Sequence, residues 1–422
     1  MKTAEQSELA HPSGPGPSRA HLWAGGWSVV ITLFLALGAH HWASRTIDAR
    51  ADDVRHDMRP ARVRSLALNL AALRRTSSIP VFGSSELSVD VRFRADRFFG
   101  DRAPEHPMHV MAGGGVVLLN HVVEVGALAS TLRDRSSILF LAPVEIIMAQ
   151  ERRSWFFAGN FSRLQTATVL ANDMLSDTLR RDIASLLARY PSALAMDPVV
   201  AGAARLTRGD ASRSERLLAE ALRPALALDA AWLRESDFIR SASELPHSAD
   251  RRPSIDSLVR SASDTVAWDA LTAVAHAQWE KNSRSNAYGF PDGMWQKMMA
   301  REAKGQRLQY GAQFAAQITS PIAWQELSVL LRTLSAAHSQ PLVVCLPMAG
   351  RYMEATGATP ATRAAFYARL QAMTSAAGVT LIDFRTKDLV PGLLDGIENH
   401  LSPEGWLLVD RAIASYVFAQ KS

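Results

Sequence analysis

The chain has 422 residues, of which 48% are hydrophobic and 21% are charged; this is enough to bury a large core and excludes a chain that is disordered throughout. Its net charge of +5, from 46 basic and 41 acidic residues, is mild. Because no zinc-finger spacing, nucleic-acid motif or P-loop occurs, we expect no nucleic-acid partner and no metal or organic cofactor. The one cysteine, Cys345, lies in an apolar run and is predicted to be strand core.

The N-terminal part of the chain predicts a membrane anchor. Residues 1–21 are polar and rich in Ser, Pro and Gly, which predicts a disordered tail, and residues 22–42 form an apolar segment about long enough to cross a bilayer once. A cleaved signal peptide is the alternative, although no clear small-residue cleavage site follows. Residues 43–77 are predicted to be a membrane-proximal linker or helix. Arginines on both sides of the segment leave its orientation undecided.

From residue 78 the pattern is that of an α/β fold. Short apolar runs, each followed by a turn or a helical stretch, predict buried strands of a parallel sheet; they are Ile79–Phe82, Val110–Met111, Ile138–Ala142, Leu342–Leu346 and Val379–Ile382. The strand signal disappears over residues 151–324, where leucines recur at helical spacing. We therefore predict a sheet domain made of residues 78–150 and 325–422, interrupted by a helical insertion at 151–324.

Two loops carry residues suited to nucleophilic catalysis. Gly83-Ser-Ser-Glu86 follows the first predicted strand, and a sharp strand-to-helix turn there would expose a serine hydroxyl and leave backbone N–H groups free for an oxyanion. A helix N-cap is the structural alternative. His400 lies in a polar turn before the predicted last helix, with Asp395 and Glu398 nearby. Together these are the parts of a Ser-His-acid triad.

The motifs resemble a known family. A Gly-x-Ser block after the first strand and a histidine before the last helix are similar to SGNH (GDSL-like) hydrolases. Within that group the chain resembles the DltD family, membrane-anchored proteins needed for D-alanylation of teichoic acids. The matching blocks are Phe82-Gly-Ser-Ser-Glu-Leu87, Leu346-Pro-Met-Ala-Gly350 with Tyr352 and Thr356-Gly357, Phe366-Tyr367, Val379-Thr-Leu-Ile-Asp-Phe384, and His400-Leu-Ser-Pro-Glu-Gly-Trp406 before Val409-Asp410.

The resemblance assigns roles to individual residues. It implies Ser85 as nucleophile and His400 as general base. The family usually has aspartate three residues before the histidine, where this chain has Ile397, so Asp395 is the preferred third member and Glu398 the alternative. The oxyanion hole is expected at the Ser85 N–H and at Gly114, or else at Gly113 or Gly115. The asparagine of the full SGNH pattern is missing, and Pro143-Val144-Glu145 stands in its place.

The fold and function implied are those of an SGNH-like parallel sheet sandwich that transfers D-alanyl groups to or from an envelope polymer through an acyl-serine. The expected partners are the cytoplasmic membrane, membrane proteins of the D-alanylation pathway, an acyl carrier and an anionic polymer as acceptor. The catalytic domain would lie outside the cytoplasm, on a single-pass anchor in the cytoplasmic (inner) membrane. The alternatives are an O-acetyl esterase or transferase of an envelope polysaccharide, and a non-catalytic membrane scaffold.

Overall fold

The computed structural model describes residues 19–50, 63–75, 78–87, 93–100, 107–245, 266–304 and 310–418. Most of the predicted N-terminal tail and part of the predicted linker lie outside these ranges.

The sheet has five parallel strands in the order β2-β1-β3-β4-β5. They are β1 (Ile79–Gly83), β2 (Met108–Ala112), β3 (Ser136–Leu141), β4 (Gln340–Cys345) and β5 (Thr380–Asp383). The predicted α/β fold with a parallel sheet is therefore confirmed. In this doubly wound order the chain turns to opposite sides after β1 and β3, and the loops beyond their carboxyl ends diverge to form the crevice where such folds bind ligands.

Both faces of the sheet are buried. Successive strand residues point to opposite sides, and each set packs into a hydrophobic core. In β4, Val343 and Cys345 enter the core on one face, whereas Leu342 and Val344 enter the core on the other. Cys345 is fully buried and burial raises its pKa well above the usual thiol value. The side chain is thus a neutral thiol packed in the core, as its apolar surroundings in the sequence predicted.

Helices cover both faces of this sheet. The helices of the described residues are α1 (Arg19–Arg50), α2 (Leu66–Arg75), α3 (Ala95–Gly100), α4 (Leu118–Ala127), α5 (Ala129–Leu132), α6 (Pro143–Ile146), α7 (Gln150–Gly159), α8 (Arg163–Leu170), α9 (Asp177–Leu187), α10 (Pro191–Ala195), α11 (Pro198–Arg208), α12 (Arg213–Ala221), α13 (Arg223–Glu244), α14 (Trp268–Asn282), α15 (Asp292–Ala303), α16 (Tyr310–Gln317), α17 (Pro321–Ala336), α18 (Gly350–Ala355), α19 (Pro360–Ala376) and α20 (Pro403–Phe418).

The described parts of the segment between β3 and β4 contain helices joined by short loops and no strand, from α6 to α17. Most of its helices build the core on one face of the sheet. Helix α14 is an exception, because its Leu271 and Ala275 belong to the core on the other face. One buried ion pair joins the two ends of this segment: Arg153 of α7 contacts Glu326 of α17 at 2.6 Å.

Helix α1 is longer than the predicted anchor. It begins at Arg19 and continues to Arg50, because Ala43 and Ile47 pack into a small core with α2 and α13 and extend the helix beyond the apolar segment. Within the described residues it is the one helix long and apolar enough to cross a membrane, and its apolar stretch is fully exposed.

Candidate active site

Ser85 opens a single 3-10 turn, Ser85–Leu87, directly after β1. The turn is tight: a Cβ atom on Gly83 would overlap both the Glu86 carboxylate and the Leu87 side chain, so a larger residue there would force both side chains to move. The Gly83 carbonyl oxygen also accepts a hydrogen bond from His121 Nε2 at 2.9 Å. The turn is thus fixed from two sides at the carboxyl end of β1, beside the crevice between β1 and β3.

His400 lies on a compact turn in front of α20. Leu394 and Leu401 form an antiparallel bridge, and the Asp395 N–H donates to the His400 carbonyl oxygen at 2.8 Å. Asn399 has a left-handed backbone (φ 60°), which asparagine tolerates better than most residues, and its Nδ2 donates to the Pro347 carbonyl oxygen at 2.7 Å. The imidazole is therefore held by a turn that is itself anchored at the end of β4.

These two loops bring the predicted nucleophile and base together. Ser85 Oγ lies 3.0 Å from His400 Nε2, although the residues are 315 positions apart in the chain. Burial lowers the pKa of His400 below its usual value, opposed in part by the negative charge of Glu398. A neutral imidazole with its proton on Nδ1 can accept the serine proton through Nε2. The geometry is that of a serine hydroxyl beside a general base.

The structure brings neither carboxylate into a hydrogen bond with His400 within the described part of the chain. Asp395 shares the turn through its backbone, and burial raises the pKa of its carboxyl to about 6. Glu398 acts on His400 electrostatically, as its effect on the histidine pKa shows. The third member of the predicted triad thus stays a prediction, with Asp395 and Glu398 as its candidates.

The predicted oxyanion glycines form a turn at the end of β2, next to β1. The Gly113 carbonyl oxygen accepts from the Val116 N–H at 3.1 Å. Gly115 has a left-handed backbone (φ 73°), and a Cβ there would overlap the Phe156 ring, whereas a Cβ on Gly114 would meet nothing within 4 Å. Gly114 is therefore the glycine whose bare backbone faces open space.

A buried asparagine that sequence reasoning missed supports this glycine turn. Asn160, at the end of α7, donates through Nδ2 to the Gly114 carbonyl oxygen at 3.4 Å and to the Phe156 carbonyl oxygen at 3.2 Å. Asn120 of α4 caps the Val117 N–H at 3.0 Å through its Oδ1. Neither asparagine stands in the block where the resemblance placed one. Only the packing of α7 against the glycine turn reveals Asn160.

A cluster of buried carboxyl groups lies beneath the serine turn and was also missed. The Ser84 N–H donates to Glu86 Oε1 at 2.5 Å. Burial raises the pKa of Glu86 to about 7. Burial and the nearby charge of Glu86 raise the pKa of Glu145 well above its usual value, against the positive charge of Arg153. Glu145 also hydrogen-bonds the Ser84 side chain.

The carboxyl cluster continues into the helical segment. Arg153 donates to the Glu145 carbonyl oxygen and pairs with Glu326, which also accepts a hydrogen bond from the Tyr190 hydroxyl. All four side chains are almost completely buried. The turn that carries Ser85 is thus linked by polar contacts to helices on both ends of the segment between β3 and β4.

No group of three or more potential metal ligands occurs within the described ranges. The chemistry that a serine hydroxyl beside an imidazole can perform is acyl transfer.

Comparison with known proteins decides the family. A sequence model described as "DltD protein" matches residues 55–418. The chain belongs to the DltD family. It is 23% identical over 403 residues to "Protein DltD" of Bacillus subtilis (strain 168), covering 92% of this chain and 96% of that protein. It is 20% identical over 400 residues to "Protein DltD" of Staphylococcus aureus (strain NCTC 8325 / PS 47), covering 92% and 93%.

The family prediction made from the motifs is thus confirmed, and these two DltD proteins are matched over nearly their whole length. Ser85, His400 and the glycine turn all lie inside the matched range.

Proposed function

We propose that this DltD-family protein is a serine acyltransferase or esterase of the D-alanylation pathway, anchored in the membrane by α1. The observation that carries the proposal is the 3.0 Å contact between Ser85 Oγ and His400 Nε2. Family membership supports teichoic acid D-alanylation as the pathway. The doubly wound sheet, with a Gly-x-Ser turn after β1 and a histidine before the last helix, supports an SGNH-type active site.

The first half of the reaction forms an acyl-enzyme. His400 Nε2 takes the hydroxyl proton of Ser85, and Oγ bonds to the carbonyl carbon of an activated acyl donor. The oxyanion accepts hydrogen bonds from the Ser85 N–H and from the glycine turn, with Gly114 preferred. As the intermediate collapses, the bond from carbon to the leaving group breaks, and the leaving group takes the proton from His400.

The second half reverses the proton transfers. A hydroxyl group of the acceptor, or water, gives its proton to His400 and attacks the acyl carbon. The bond to Ser85 Oγ then breaks, and the imidazolium returns a proton to the serine. By family membership the acyl group is D-alanine and the acceptor is an anionic envelope polymer, with an acyl carrier and pathway membrane proteins as partners. The catalytic domain then faces outward from the cytoplasmic membrane.

Labelling with a fluorophosphonate probe tests the serine chemistry. We expect the purified full-length protein to be labelled, and Ser85→Ala to abolish labelling, because the probe reacts only with an activated serine hydroxyl. Ser192→Ala is the matched control, since Ser192 is an exposed serine of α10, and it should label like the wild type. A folded wild-type protein that takes no label would overturn the enzymatic proposal and favour a membrane scaffold.

The identity of the acyl group needs a separate assay. We expect the wild type to cleave or transfer D-alanyl esters faster than acetyl esters, and Ser85→Ala to do neither. A preference for acetyl esters would replace D-alanyl transfer by an O-acetyl esterase or transferase activity with the same serine and histidine.

A further inference from the structure

Two of the sequence blocks that resemble the family, at residues 346–350 and 366–367, take no part in the contact between serine and histidine. The first block follows β4, and the second lies in α19. Asp388, in the loop after β5, joins them in space, because its Oδ1 accepts hydrogen bonds from the Met348 N–H at 2.9 Å and from the Tyr367 hydroxyl at 2.7 Å. The two blocks therefore meet at one buried carboxylate.

Asp388 is held through its main chain as well as its side chain. Its Oδ2 pairs with Arg363 Nη1 at 3.1 Å, and the guanidinium also contacts Glu354. The Gly350 N–H donates to the Asp388 carbonyl oxygen at 2.9 Å, and a Cβ on Gly350 would lie 2.8 Å from that oxygen. A side chain at position 350 would therefore push Asp388 out of place.

The peptide unit between Pro347 and Met348 is gripped at both of its polar atoms. Its N–H donates to Asp388, and its carbonyl oxygen accepts from Asn399 Nδ2 at 2.7 Å. Asp388 and Asn399 are each only 4% exposed. Because a peptide unit is planar and stiff, fixing one of its sides fixes the other. Asp388 thus determines where Asn399, the residue directly before His400, is bound.

His400 depends on such support, because it belongs to a turn and not to a helix or strand. The turn passes through the left-handed backbone of Asn399, and the imidazole beyond it lies 3.0 Å from Ser85 Oγ. A general base has to be within hydrogen-bond reach of the proton that it takes, and a misplacement of about 1 Å can cost about 10²-fold in rate. The bond from Asn399 to Pro347 ties the turn to the end of β4.

The serine turn is held in the same manner. The peptide unit between Gly83 and Ser84 accepts a hydrogen bond from His121 at its carbonyl oxygen, at 2.9 Å, and donates one to Glu86 from its N–H, at 2.5 Å. Ser85 follows this peptide directly. Both partners of the 3.0 Å contact are thus attached to backbone that buried side chains fix on two sides.

We propose that Asn399 and Asp388 are positioning residues of the active site, which hold the His400 imidazole within reach of Ser85 through the peptide unit between Pro347 and Met348. The inference rests on the serine and histidine chemistry proposed above. It gives the blocks at 346–350 and 366–367 a shared role, which is to support the turn that carries the base.

Asn399→Gly tests this role in the full-length protein. Glycine adopts a left-handed backbone readily, so the substitution removes the bond to Pro347 without adding backbone strain. We expect the second-order rate of fluorophosphonate labelling at Ser85, and kcat for a D-alanyl ester, to fall on the order of 10²-fold. KM should change little, because Asn399 holds the turn and does not bind the acyl group.

Asn172→Gly is the matched control. Asn172 Nδ2 donates to the Gly126 carbonyl oxygen, also at 2.7 Å, near the end of α4 and away from both catalytic turns. This variant loses an equivalent hydrogen bond and should label at the wild-type rate.

The outcomes separate positioning from stability. If Asn399→Gly melts at a lower temperature but is labelled at the wild-type rate below that temperature, its side chain serves stability alone and the proposal is overturned. If this variant does not fold, Tyr367→Phe decides, since it removes only the hydroxyl bonded to Asp388: slower labelling supports positioning, and the wild-type rate overturns it. A folded wild type that takes no label would remove the serine chemistry itself, and this inference with it.

Discussion

At the scale of single residues, His400 shows how burial tunes a group for its task. Because burial lowers its pKa, the imidazole is already neutral at physiological pH and available as a proton acceptor. Glu398 works in the opposite direction, since a neighbouring negative charge favours the imidazolium. The balance of these two effects sets the pH at which a reaction that needs the neutral base begins to operate.

The pH dependence of ester cleavage should report this balance. We expect kcat/KM of the wild type to rise with pH through an inflection below 6.5 and then to stay level, because only the neutral imidazole accepts the proton of Ser85. Glu398→Gln should move the inflection further down, since it removes a negative charge that raises the histidine pKa.

Asp395→Asn is the comparison for that experiment. Asp395 contacts His400 only through the backbone, so we expect the inflection to stay with this variant. A loss on the order of 10⁴-fold in kcat/KM at every pH, as expected for a triad aspartate, would identify Asp395 as the acid that orients the imidazole. The turn would then rearrange when substrate binds.

At the scale of structural elements, the adjacent glycines Gly114 and Gly115 differ in what their positions demand. Gly115 needs both a left-handed backbone and room for the Phe156 ring, whereas Gly114 needs neither. The turn after β2 therefore depends on Gly115 for its shape, whereas a side chain at Gly114 would point into open space.

Two alanine substitutions separate these roles. Gly115→Ala should lower the melting temperature, because the left-handed backbone alone costs about 1–2 kcal/mol and the methyl group overlaps Phe156. Gly114→Ala should melt like the wild type but show a reduced kcat/KM, since its methyl group takes space where the acyl carbonyl would bind. Equal melting temperatures for both variants would contradict this division.

At the scale of the whole molecule, buried carboxyl groups connect the serine turn with the helical segment. Glu86 and Glu145 lie next to each other with the Arg153–Glu326 pair behind them. Burying ionisable groups in this way costs stability whenever they are charged. Global stability should therefore depend on pH in a way that the surface charges of the chain do not explain.

Glu86 sets the expected direction. Its pKa is about 7 in the folded protein and 4.5 when unperturbed, so the folded state holds a proton that the unfolded state loses. The free energy of unfolding should then fall as the pH rises from about 4.5 to 7, by on the order of a few kcal/mol. Glu86→Gln should remove much of this slope, because glutamine does not ionise, while its amide oxygen can still accept from the Ser84 N–H.

Chemical denaturation at a series of pH values measures this effect. Glu151→Gln, at an exposed glutamate of α7, is the control and should keep the wild-type slope. A slope that is unchanged in Glu86→Gln would show that the proton held by the cluster is not on Glu86.

The sequence alone determined the features that depend on local physics. Apolar runs located the strands, the Gly-Ser turn and the histidine before the last helix stood out as motifs, and an uncharged stretch marked the helix that can cross a membrane. Each of these is encoded by neighbouring residues, because the backbone geometry and the hydrophobicity of a short stretch do not depend on distant segments. Motif order also indicated the family, which the comparisons confirmed.

The tertiary structure alone decided what depends on packing between distant segments. It placed Ser85 beside His400, brought Asn160 to the glycine turn, and buried Glu86 against Glu145. It also packed Ala242 of α13 against Ala43 and Ile47 near the end of α1. The physical reason is that burial and proximity, which shift pKa values, are set by the packed fold. No single stretch of sequence encodes either of them.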